Sequence, residues 1–474
     1  MLVGIIKLWN TQLGSVFIST SMRVLVGVFV LPLVVKYLPV TEVNVYFSMV
    51  SLIGIFLALT QGLSVTFQRF LAYSNIGIGL PDFDKIRFNE TPIINSESNL
   101  KEFSKILATY RFFSFISALG LLTIGGFAGY YALSIPISQV DGSHVQMWLT
   151  FLVLLILSSI NLYLSVFNVI LRALDKIILV SRVALIWSTV TLILLIILML
   201  QNKLTLFSLI LVVQMPVITG NWHYRYLCSL HLPKDLPNES FDRQVAIKAF
   251  EKAWKSILST TVAGFISNGT GLILANYYRA EISAPIQLLF RVYGVFENLI
   301  NSLMQAKVVH LTRLSKENRH LFKSLVLRLL VVLVVSAVML QLLFLLLGNE
   351  VLSILKDKGY VYSMEVLLLM GIILVLKRWI GFSLILFNIL NNVRDIVITP
   401  TILLSFLGLI YLLPIHEGVN FMLYAFLASL IIAAVAQYRP LITSYNHHLT
   451  RLMYIGLITA IIIISIISIL VKFN

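Results

Sequence analysis

Charged residues are scarce in this sequence. Only 12% of its 474 residues are Asp, Glu, Lys or Arg, and 59% are hydrophobic, whereas soluble domains have about 25% charged and about 45–50% apolar residues. The mean hydropathy of +0.96 agrees with this bias. A chain with so few charged side chains cannot cover a soluble domain with polar surface. The composition therefore predicts an integral membrane protein.

Cysteine is almost absent. Cys228 is the only one, which excludes an internal disulfide framework and a multi-cysteine metal site. We expect its thiol to be buried or inert. The sequence also has no Walker lysine loop, no HExxH zinc motif and no nucleophile elbow. His447 and His448 are adjacent in a predicted cytosolic connection, where we expect them to be solvated and not to bind metal.

Long apolar runs, in contrast, are abundant. Thirteen of them are long enough to cross a hydrocarbon core of about 30 Å. They are continuous and do not alternate with polar residues, which favours helices over a β-barrel. The predicted fold class is all-α, a polytopic membrane helix bundle of about 12–14 transmembrane helices. The predicted spans are 13–35, 43–67, 112–134, 147–171, 177–200, 204–224, 256–277, 284–306, 325–347, 364–390, 396–414, 420–438 and 452–471.

The positions of Lys and Arg set the predicted orientation. With the N-terminus in the cytosol, all but ten of the 35 Lys and Arg residues fall in cytosolic segments, and cytosolic loops are the ones enriched in these residues. The net charge of +15 is then a topology signal and an attraction to anionic lipid headgroups. It does not indicate nucleic-acid binding. The exceptions are Lys36, Lys203, Arg279, Lys356, Lys358 and Lys472 outside, and Arg23, Arg291, Lys377 and Arg378 within the spans.

The connections between spans are unequal. Two long polar connections, 68–111 and 225–255, are predicted to be cytosolic. Within them, LKEFSKILATYRFF and FDRQVAIKAFEKAWK have the pattern of amphipathic interfacial helices. The external loops are short, the largest being about 348–363. The sequence therefore predicts no catalytic domain outside the membrane.

One segment occurs twice. FNVILRALDKII, residues 167–178, returns as FNILNNVRDIVI, residues 387–398. The copies close the fourth and the tenth predicted spans, and a shift of six helices gives both copies the same orientation, as in transporters with two parallel halves. The repeat predicts two six-helix halves related by a pseudo-twofold axis. The predicted domains are an N-terminal half, 1–228; a cytosolic amphipathic linker, 229–255; a C-terminal half, 256–445; and an additional transmembrane helix, 446–474.

Polar residues within the spans indicate a cavity between the helices. A charge at a helix centre costs about 2.5–3.5 kcal/mol on insertion scales, so such residues should line water or meet partners. Four cations lie in the spans against one comparably deep acid, Glu297. This excess predicts an anionic substrate, since guanidinium groups bind phosphate with two hydrogen bonds. The predicted cationic residues are Arg23, Arg291, Lys377 and Arg378, and the predicted polar lining is Asn161, Asn168, Asn298, Asn301, Gln305 and Asn388.

Purely structural roles are also compatible with these residues. Small and polar side chains hold membrane helices together, and a cation within a span can extend to the interface or form a local ion pair. Glu297 lies at the edge of the polar stripe on the eighth span. It is either a site for a coupling proton or sodium ion or the counterion of a neighbouring arginine.

Residues 32–72 resemble the first two helices of polysaccharide flippases of the Wzx O-antigen type, in the multidrug/oligosaccharidyl-lipid/polysaccharide exporter superfamily. There, a YLG-x-x-E-x-G-x-Y turn follows the first helix, and an arginine lies near the cytosolic end of the second. Pro39 and Asn44 replace the two glycines of this pattern here. The matching residues are Tyr37, Leu38, Glu42 and Tyr46, followed by Gln61, Gly62 and Arg69.

The resemblance implies a function. It implies alternating-access transport of undecaprenyl-diphosphate-linked oligosaccharide repeat units across the bacterial inner membrane, for O-antigen biosynthesis. The cationic lumen would hold the diphosphate and sugars while the lipid tail stays in the bilayer. The expected partners are the lipid-linked glycan, membrane lipids and, from the family, a polysaccharide polymerase complex. No cofactor is expected beyond a proton or sodium gradient.

Three other classes of protein compete with this interpretation. A cation-coupled multidrug exporter of the same superfamily would share the fold, but its cavity should be rich in acids. A major-facilitator carrier should have a G-x-x-x-D-R turn, which QRFLAYSNIGIG lacks. A membrane glycosyltransferase, polymerase or ligase would need a large external loop with catalytic groups. The sequence therefore predicts a transporter and no enzymatic activity, with the multidrug exporter as the main alternative.

Overall fold

The computed structural model describes ten stretches of the chain: 11–75, 99–202, 204–233, 235–295, 311, 319–355, 363–389, 395–412, 418–445 and 447–473. These stretches are almost entirely helical and contain no strand, which confirms the predicted all-α class. Nine helices among them are long and apolar enough to cross a membrane. Two shorter apolar helices, Thr401–Ile410 and Thr450–Ile466, lie toward the C-terminus.

Two π-helical turns interrupt otherwise regular helices. Leu121–Gly125 joins the helix Leu100–Gly120 to Gly126–Ser138, and Phe265–Gly269 joins Arg243–Gly264 to Thr270–Tyr277. Residues 280–295 are also helical. The helices up to residue 277 are α1 (Gln12–Tyr37), α2 (Val40–Asn75), α3 (Leu100–Gly120), α4 (Gly126–Ser138), α5 (His144–Leu164), α6 (Val166–Ala173), α7 (Ile177–Leu200), α8 (Leu206–His231), α9 (Arg243–Gly264) and α10 (Thr270–Tyr277). The later ones are α11 (Arg319–Leu355), α12 (Met364–Ile389), α13 (Asp395–Leu412), α14 (Val419–Tyr445) and α15 (His447–Phe473).

The chain forms two compact units. One comprises Met1–Leu33 and Tyr37–Asn276, and the other comprises Val34–Lys36 and Tyr277–Asn474. The seventh predicted span, 256–277, belongs to the first unit except for its last residue, Tyr277, although it follows the predicted linker in sequence. The division into two six-helix halves follows from the sequence repeat and remains a prediction.

Local polar residues define where the helices of the first unit begin. The side chain of Asn99 accepts a hydrogen bond from the Glu102 N–H at the start of α3. Thr205 and Ser208 form a reciprocal capping box at the start of α8. Asp242 accepts hydrogen bonds from two backbone N–H groups at the start of α9. Each cap satisfies donors that the first helical turn leaves unpaired.

The first copy of the repeated segment ends α6 with a tight turn. Asp175 has a φ of +58°, a left-handed conformation that Asp and Asn tolerate better than most residues. The N–H groups of Asp175 and Lys176 donate to the carbonyls of Arg172 (3.1 Å) and Leu171 (2.8 Å). Asp395, in the second copy, begins α13. The aspartate of the first copy therefore has a structural role in the turn between α6 and α7.

Both predicted interfacial helices are the first turns of longer helices. α2 continues to Asn75 and α3 begins at Leu100, after which the helical path runs on to Ser138. α8 continues to His231, and α9 begins at Arg243 and leads into α10. The two connections are correspondingly shorter than predicted. The reason is that an amphipathic segment directly before an apolar run extends that helix when no residue breaks it.

The core of the first unit lies where α2, α3, α6, α8 and α9 meet. Phe67 and Tyr110 stack with ring centroids 4.7 Å apart, and the Tyr110 hydroxyl donates to the Ser64 hydroxyl at 3.1 Å. Cys228 is a free cysteine in this core, and its Sγ donates to the Phe167 carbonyl oxygen at 3.3 Å. The expectation of a buried thiol is confirmed, since Cys228 is only 1% exposed.

The core of the second unit contains a buried polar network. The Tyr293 hydroxyl donates to Gln341 Oε1, and Gln341 Nε2 donates to the Leu367 carbonyl oxygen at 2.7 Å. Gly371 on α12 gives the Gln341 amide the space it needs, because a Cβ at this position would overlap with it. This network links the helix over 280–295, α11 and α12 within the second unit.

Candidate functional site

A cavity of about 360 Å³ lies within the first unit. It is lined by α1, α5, α6, α7 and α8, together with the residue between α5 and α6, and both polar and apolar side chains contribute. The lining residues are Arg23, Val26, Asn161, Ser165, Asn168, Val183, Ala184, Trp187, Ser188, Thr191, Val213, Pro216, Val217, Gly220, Asn221 and Tyr224. A volume of this size falls in the range of small-molecule sites, about 300–1,000 Å³.

Helical spacing explains which side chains reach the cavity. Asn161, Ser165 and Asn168 are four and three residues apart, so they share one face of the path from α5 into α6. Trp187 and Thr191 share a face of α7 in the same way. Two of the asparagines were predicted from the polar stripe on the fourth span, and the structure places both on this cavity wall.

Two asparagines join two of the helices that line the cavity. Asn221 Nδ2 on α8 donates to Asn161 Oδ1 on α5. On the same helix as Asn221, the Tyr224 hydroxyl donates to the Val180 carbonyl oxygen at 3.0 Å and so ties α8 to α7. The bond between the amides leaves the nitrogen of Asn161 and the oxygen of Asn221 for a ligand, because each amide has both donor and acceptor groups.

Two buried polar atoms of the cavity wall have no hydrogen-bond partner within the described residues. They are the amide oxygen Oδ1 of Asn168 and the indole nitrogen Nε1 of Trp187. Buried polar atoms are normally paired, and an unpaired one costs about 1–3 kcal/mol. One is an acceptor and the other a donor, and both are buried too deeply for a ligand in the cavity to contact them in this conformation.

Gly220 determines the position of the Trp187 ring. A Cβ at Gly220 would lie 3.1 Å from Trp187 Cδ1 and 3.3 Å from its Cγ, which is closer than ordinary van der Waals contact. The absence of a side chain on this face of α8 allows the indole to lie against the helix backbone. Trp187 and Gly220 therefore line the cavity side by side.

The charge of the cavity is positive. Arg23 is the only ionised residue of the lining, and none of the described lining residues is acidic. Arg23 is exposed and forms no ion pair within the described part of the chain. Arg172, just beyond the lining, interacts electrostatically with Arg23 and adds a second cation. An anion in this cavity would therefore meet uncompensated positive charge.

The other predicted cationic residues lie in the second unit. Arg291 is half-buried in the helix over 280–295. Lys377 is half-buried and Arg378 is buried in α12, and all three have interactions with other residues. Asn388 lies near the end of α12. Glu297, Asn298, Asn301 and Gln305 lie outside the described residues, and the binding roles of all these residues remain predictions.

Trp187, Asn221 and Tyr224 were not predicted as site residues. The sequence of α7 could have indicated Trp187, because polar and aromatic residues recur on this helix at spacings of three and four. On α8 the face toward the cavity is half apolar, so periodicity alone does not distinguish it from a face toward lipid. The described residues contain no group of three or more His, Cys, Asp or Glu side chains that could hold a metal ion.

Comparison with known proteins identifies the fold. No protein-family model and no curated protein matches the chain. Among solved structures, the chain is similar to the inward-facing conformation of a multidrug resistance MATE family transporter of the MOP superfamily, with a TM-score of 0.65, 13% identity, and 95% of this chain and 98% of that chain covered. A mutant of the Vibrio cholerae MATE transporter VcmN gives a TM-score of 0.61, 13% identity, and coverage of 95% and 99%.

A third similar structure is a MOP superfamily transporter from Pyrococcus furiosus. The TM-score is 0.58 with 14% identity, and 98% of both chains is covered. That protein is described as having a binding pocket of reverse polarity that suggests a different function. These neighbours share the fold of this chain, and the resemblance to the Wzx type receives no support from them, since two of them are MATE transporters. The chain therefore shares the fold of these transporters, and nine helices in its described part are long and apolar enough to cross a membrane.

Proposed function

We propose that this protein is an exporter of an anionic lipid-linked glycan, and that the cavity of the first unit binds part of this substrate. The substrate class is an undecaprenyl-diphosphate-linked oligosaccharide, as the sequence resemblance implies, and the membrane is the bacterial inner membrane. The single observation that carries the proposal is a cavity that contains Arg23, several amides and no described carboxylate. Guanidinium groups favour phosphate oxygens, which they bind through two parallel hydrogen bonds.

The uncharged part of the cavity supports the glycan part of the proposal. The hydrogen bond between the amides of Asn221 and Asn161 does not use the Asn161 nitrogen or the Asn221 oxygen. A sugar hydroxyl can accept from the first and donate to the second. The face of the Trp187 indole is a rigid apolar surface for the carbon side of a sugar ring. The cavity can therefore contact a charged group and a polyhydroxylated group together.

A second candidate function is multidrug export. Two of the similar structures are MATE transporters, and one of them is a multidrug resistance protein. A planar drug could also stack on the Trp187 ring. One observation speaks against this candidate. Arg23 would repel cationic drugs, and no acidic residue is among the described residues that line the cavity. The Pyrococcus furiosus neighbour, described with a pocket of reverse polarity and a different function, gives a precedent for a MOP-fold protein whose pocket departs from the usual polarity.

The deciding experiment is a gene deletion in the native bacterium. Diphosphate-linked glycolipids are extracted and surface polysaccharide is scored, together with susceptibility to cationic drugs. The deletion strain is then complemented with the wild type, Arg23→Gln, Arg23→Lys or the control Arg243→Gln, at matched protein levels. Arg243 is an exposed residue at the start of α9 and lies outside the cavity.

Each outcome selects one function. Accumulated lipid-linked repeat units and lost polymer, rescued by the wild type and Arg243→Gln but not by Arg23→Gln, support the proposal. Unchanged glycolipids with higher drug susceptibility would overturn it in favour of multidrug export. Accumulated repeat units that are already exposed on the outer leaflet would instead indicate a polymerase.

A further inference from the structure

A second cationic cluster of the first unit lies outside the cavity. The guanidinium carbons of Arg111 on α3 and Arg225 on α8 are each 5.8 Å from the centroid of the Phe167 ring. The distance between the two guanidinium carbons is therefore at most twice 5.8 Å. The Arg225 guanidinium is also 5.0 Å from the Trp222 ring. We call Arg111, Arg225, Phe167 and Trp222 the arginine pair cluster.

The two arginines are brought together against their mutual repulsion. They interact electrostatically with each other, both are exposed, and neither has a carboxylate partner within the described residues. The ring that they share is fixed, because Phe167 is only 8% exposed and its carbonyl accepts the Cys228 thiol. Cation–π contacts offset part of the repulsion, at about 0.5–1 kcal/mol each at exposed sites. An anion between the guanidinium groups would offset the rest.

The depth of the cluster indicates which anion is available. Arg111 directly precedes the predicted apolar run 112–134, and Arg225 directly follows the run 204–224. The predicted spans therefore place both arginines where the hydrocarbon core gives way to headgroups, on the predicted cytosolic side. The exposed aromatic residues around them are those of a membrane interface, where Trp and Tyr concentrate. They are Phe115, Tyr163, Trp222 and Tyr226.

The cluster faces away from the cavity. Phe167 is next to Asn168 in sequence, and Arg225 is next to Tyr224, but only Asn168 and Tyr224 line the cavity. Successive residues of a helix point about 100° apart, so α6 and α8 present one face to the cavity and another to the cluster. The cluster therefore consists of different side chains from those that carry the proposed function.

We infer that the arginine pair cluster binds the phosphate headgroup of an anionic phospholipid in the predicted cytosolic leaflet. Two guanidinium groups can share the oxygens of one phosphodiester, Trp222 provides an aromatic flank at headgroup depth, and the acyl chains stay in the surrounding bilayer. Basic pockets between membrane helices on this side are known to select such headgroups. The bound lipid would bridge α3 and α8 on the outer face of the first unit.

The test uses the purified full-length protein and native mass spectrometry. The wild type, Arg111→Gln/Arg225→Gln and the control Arg243→Gln are titrated with short-chain phosphatidylglycerol or with phosphatidylcholine of the same chain length. We expect the wild type to retain phosphatidylglycerol in preference to phosphatidylcholine. The double variant should bind phosphatidylglycerol about tenfold more weakly or worse, and Arg243→Gln should behave as the wild type does.

Three results would overturn the inference. The first is an unchanged preference in the double variant, which would leave the arginines only a packing role on Phe167. The second is an equal loss in Arg243→Gln, which would reduce the effect to general surface charge. The third is displacement of the lipid by inorganic phosphate at equal concentration, which would make free phosphate the ligand. If the double variant unfolds, Arg111→Lys/Arg225→Lys replaces it. This variant keeps both positive charges but loses the bidentate hydrogen bonds of the guanidinium groups. It should therefore bind phosphatidylglycerol more weakly than the wild type does.

Discussion

Gly264 on α9 lies directly against Ala58 on α2, and a Cβ on the glycine would overlap with the Cβ of the alanine. About one turn along, a Cβ at Gly54 of α2 would lie 2.8 Å from the Asn268 amide. The missing side chains of Gly54 and Gly264 thus allow the two backbones to approach closely, which is a frequent way to pack membrane helices.

Gly264→Ala should therefore destabilise the protein even though alanine is the better helix former. The added methyl group requires the helices to separate, at a cost of about 1–3 kcal/mol. Removing the opposing methyl group should restore the fit, so Ala58→Gly/Gly264→Ala should be more stable than Gly264→Ala alone. Thermal unfolding in detergent measures the order of the three proteins. Gly120→Ala is the matched control, since a Cβ there meets no atom within 4 Å, and its melting temperature should not fall.

Stability should depend on pH through Asp242. Partial desolvation raises the pKa of this carboxyl, but hydrogen bonds from the Val245 and Gln244 N–H groups and the Lys105 ammonium outweigh it, so the pKa is lowered overall. Lys105 Nζ lies 3.2 Å from Asp242 Oδ2. A lowered pKa means that the stabilisation is complete above the ordinary Asp pKa of about 3.9 and is lost as pH falls through the folded-state value.

Asp242→Asn tests this dependence on pH. Asparagine still caps a helix but cannot pair with Lys105 or titrate. The variant should melt below the wild type at neutral pH, and the difference should shrink as the pH falls below about 4. Glu239→Gln, on the same connection, is the matched control. A difference between wild type and Asp242→Asn that stays constant from neutral to acidic pH would contradict the assignment.

Cys228 should react with a maleimide only when the first unit opens. Its side chain is 1% exposed and its thiol donates to the Phe167 carbonyl, so the reagent has no path to the sulfur in the folded protein. Labelling of the detergent-solubilised protein should be slow, and it should become fast after denaturation. A cysteine introduced at the exposed Ser229, in a protein with Cys228→Ala, is the positive control. Rapid labelling of Cys228 in the folded protein would show that this core is open.

On the proposed function, Trp187 should contribute to substrate binding through its aromatic face and through its position. Trp187→Leu removes the aromatic face on which a sugar ring would stack, which should weaken binding about threefold to tenfold, the equivalent of about 0.5–1.5 kcal/mol for an aromatic contact. Gly220→Val leaves the indole but displaces it, and should weaken binding further. Binding of a short-chain prenyl-diphosphate oligosaccharide to the purified protein is the measurement. Trp148→Phe, outside the cavity, should bind as the wild type does.

The structure also shows why parts of the site could not be predicted. Asn161 and Asn168 were predictable because an amide in an apolar span is conspicuous, and the same holds for the charge of Arg23. Trp187 was not, because an indole in an apolar helix is equally suited to lipid, to the core or to a ligand. Its place on the cavity wall follows from Gly220, which lies 33 residues away in sequence and on another helix. No periodicity within one helix contains that contact.

The sequence by itself determined that this protein is an all-helical membrane protein with an excess of positive charge in its spans. Composition and charge can be counted residue by residue along the chain. In the apolar environment of the bilayer, few structures other than helices are possible. Only the tertiary structure decided that Arg23 and the asparagines share one cavity whose lining, within the described residues, contains no acid. It also decided that α9 and the π-helical turn after it pack against α2, and that Arg111 and Arg225 converge on the ring of Phe167. These relationships depend on how closely particular helices approach each other, and that distance is set by pairs of residues far apart in the chain.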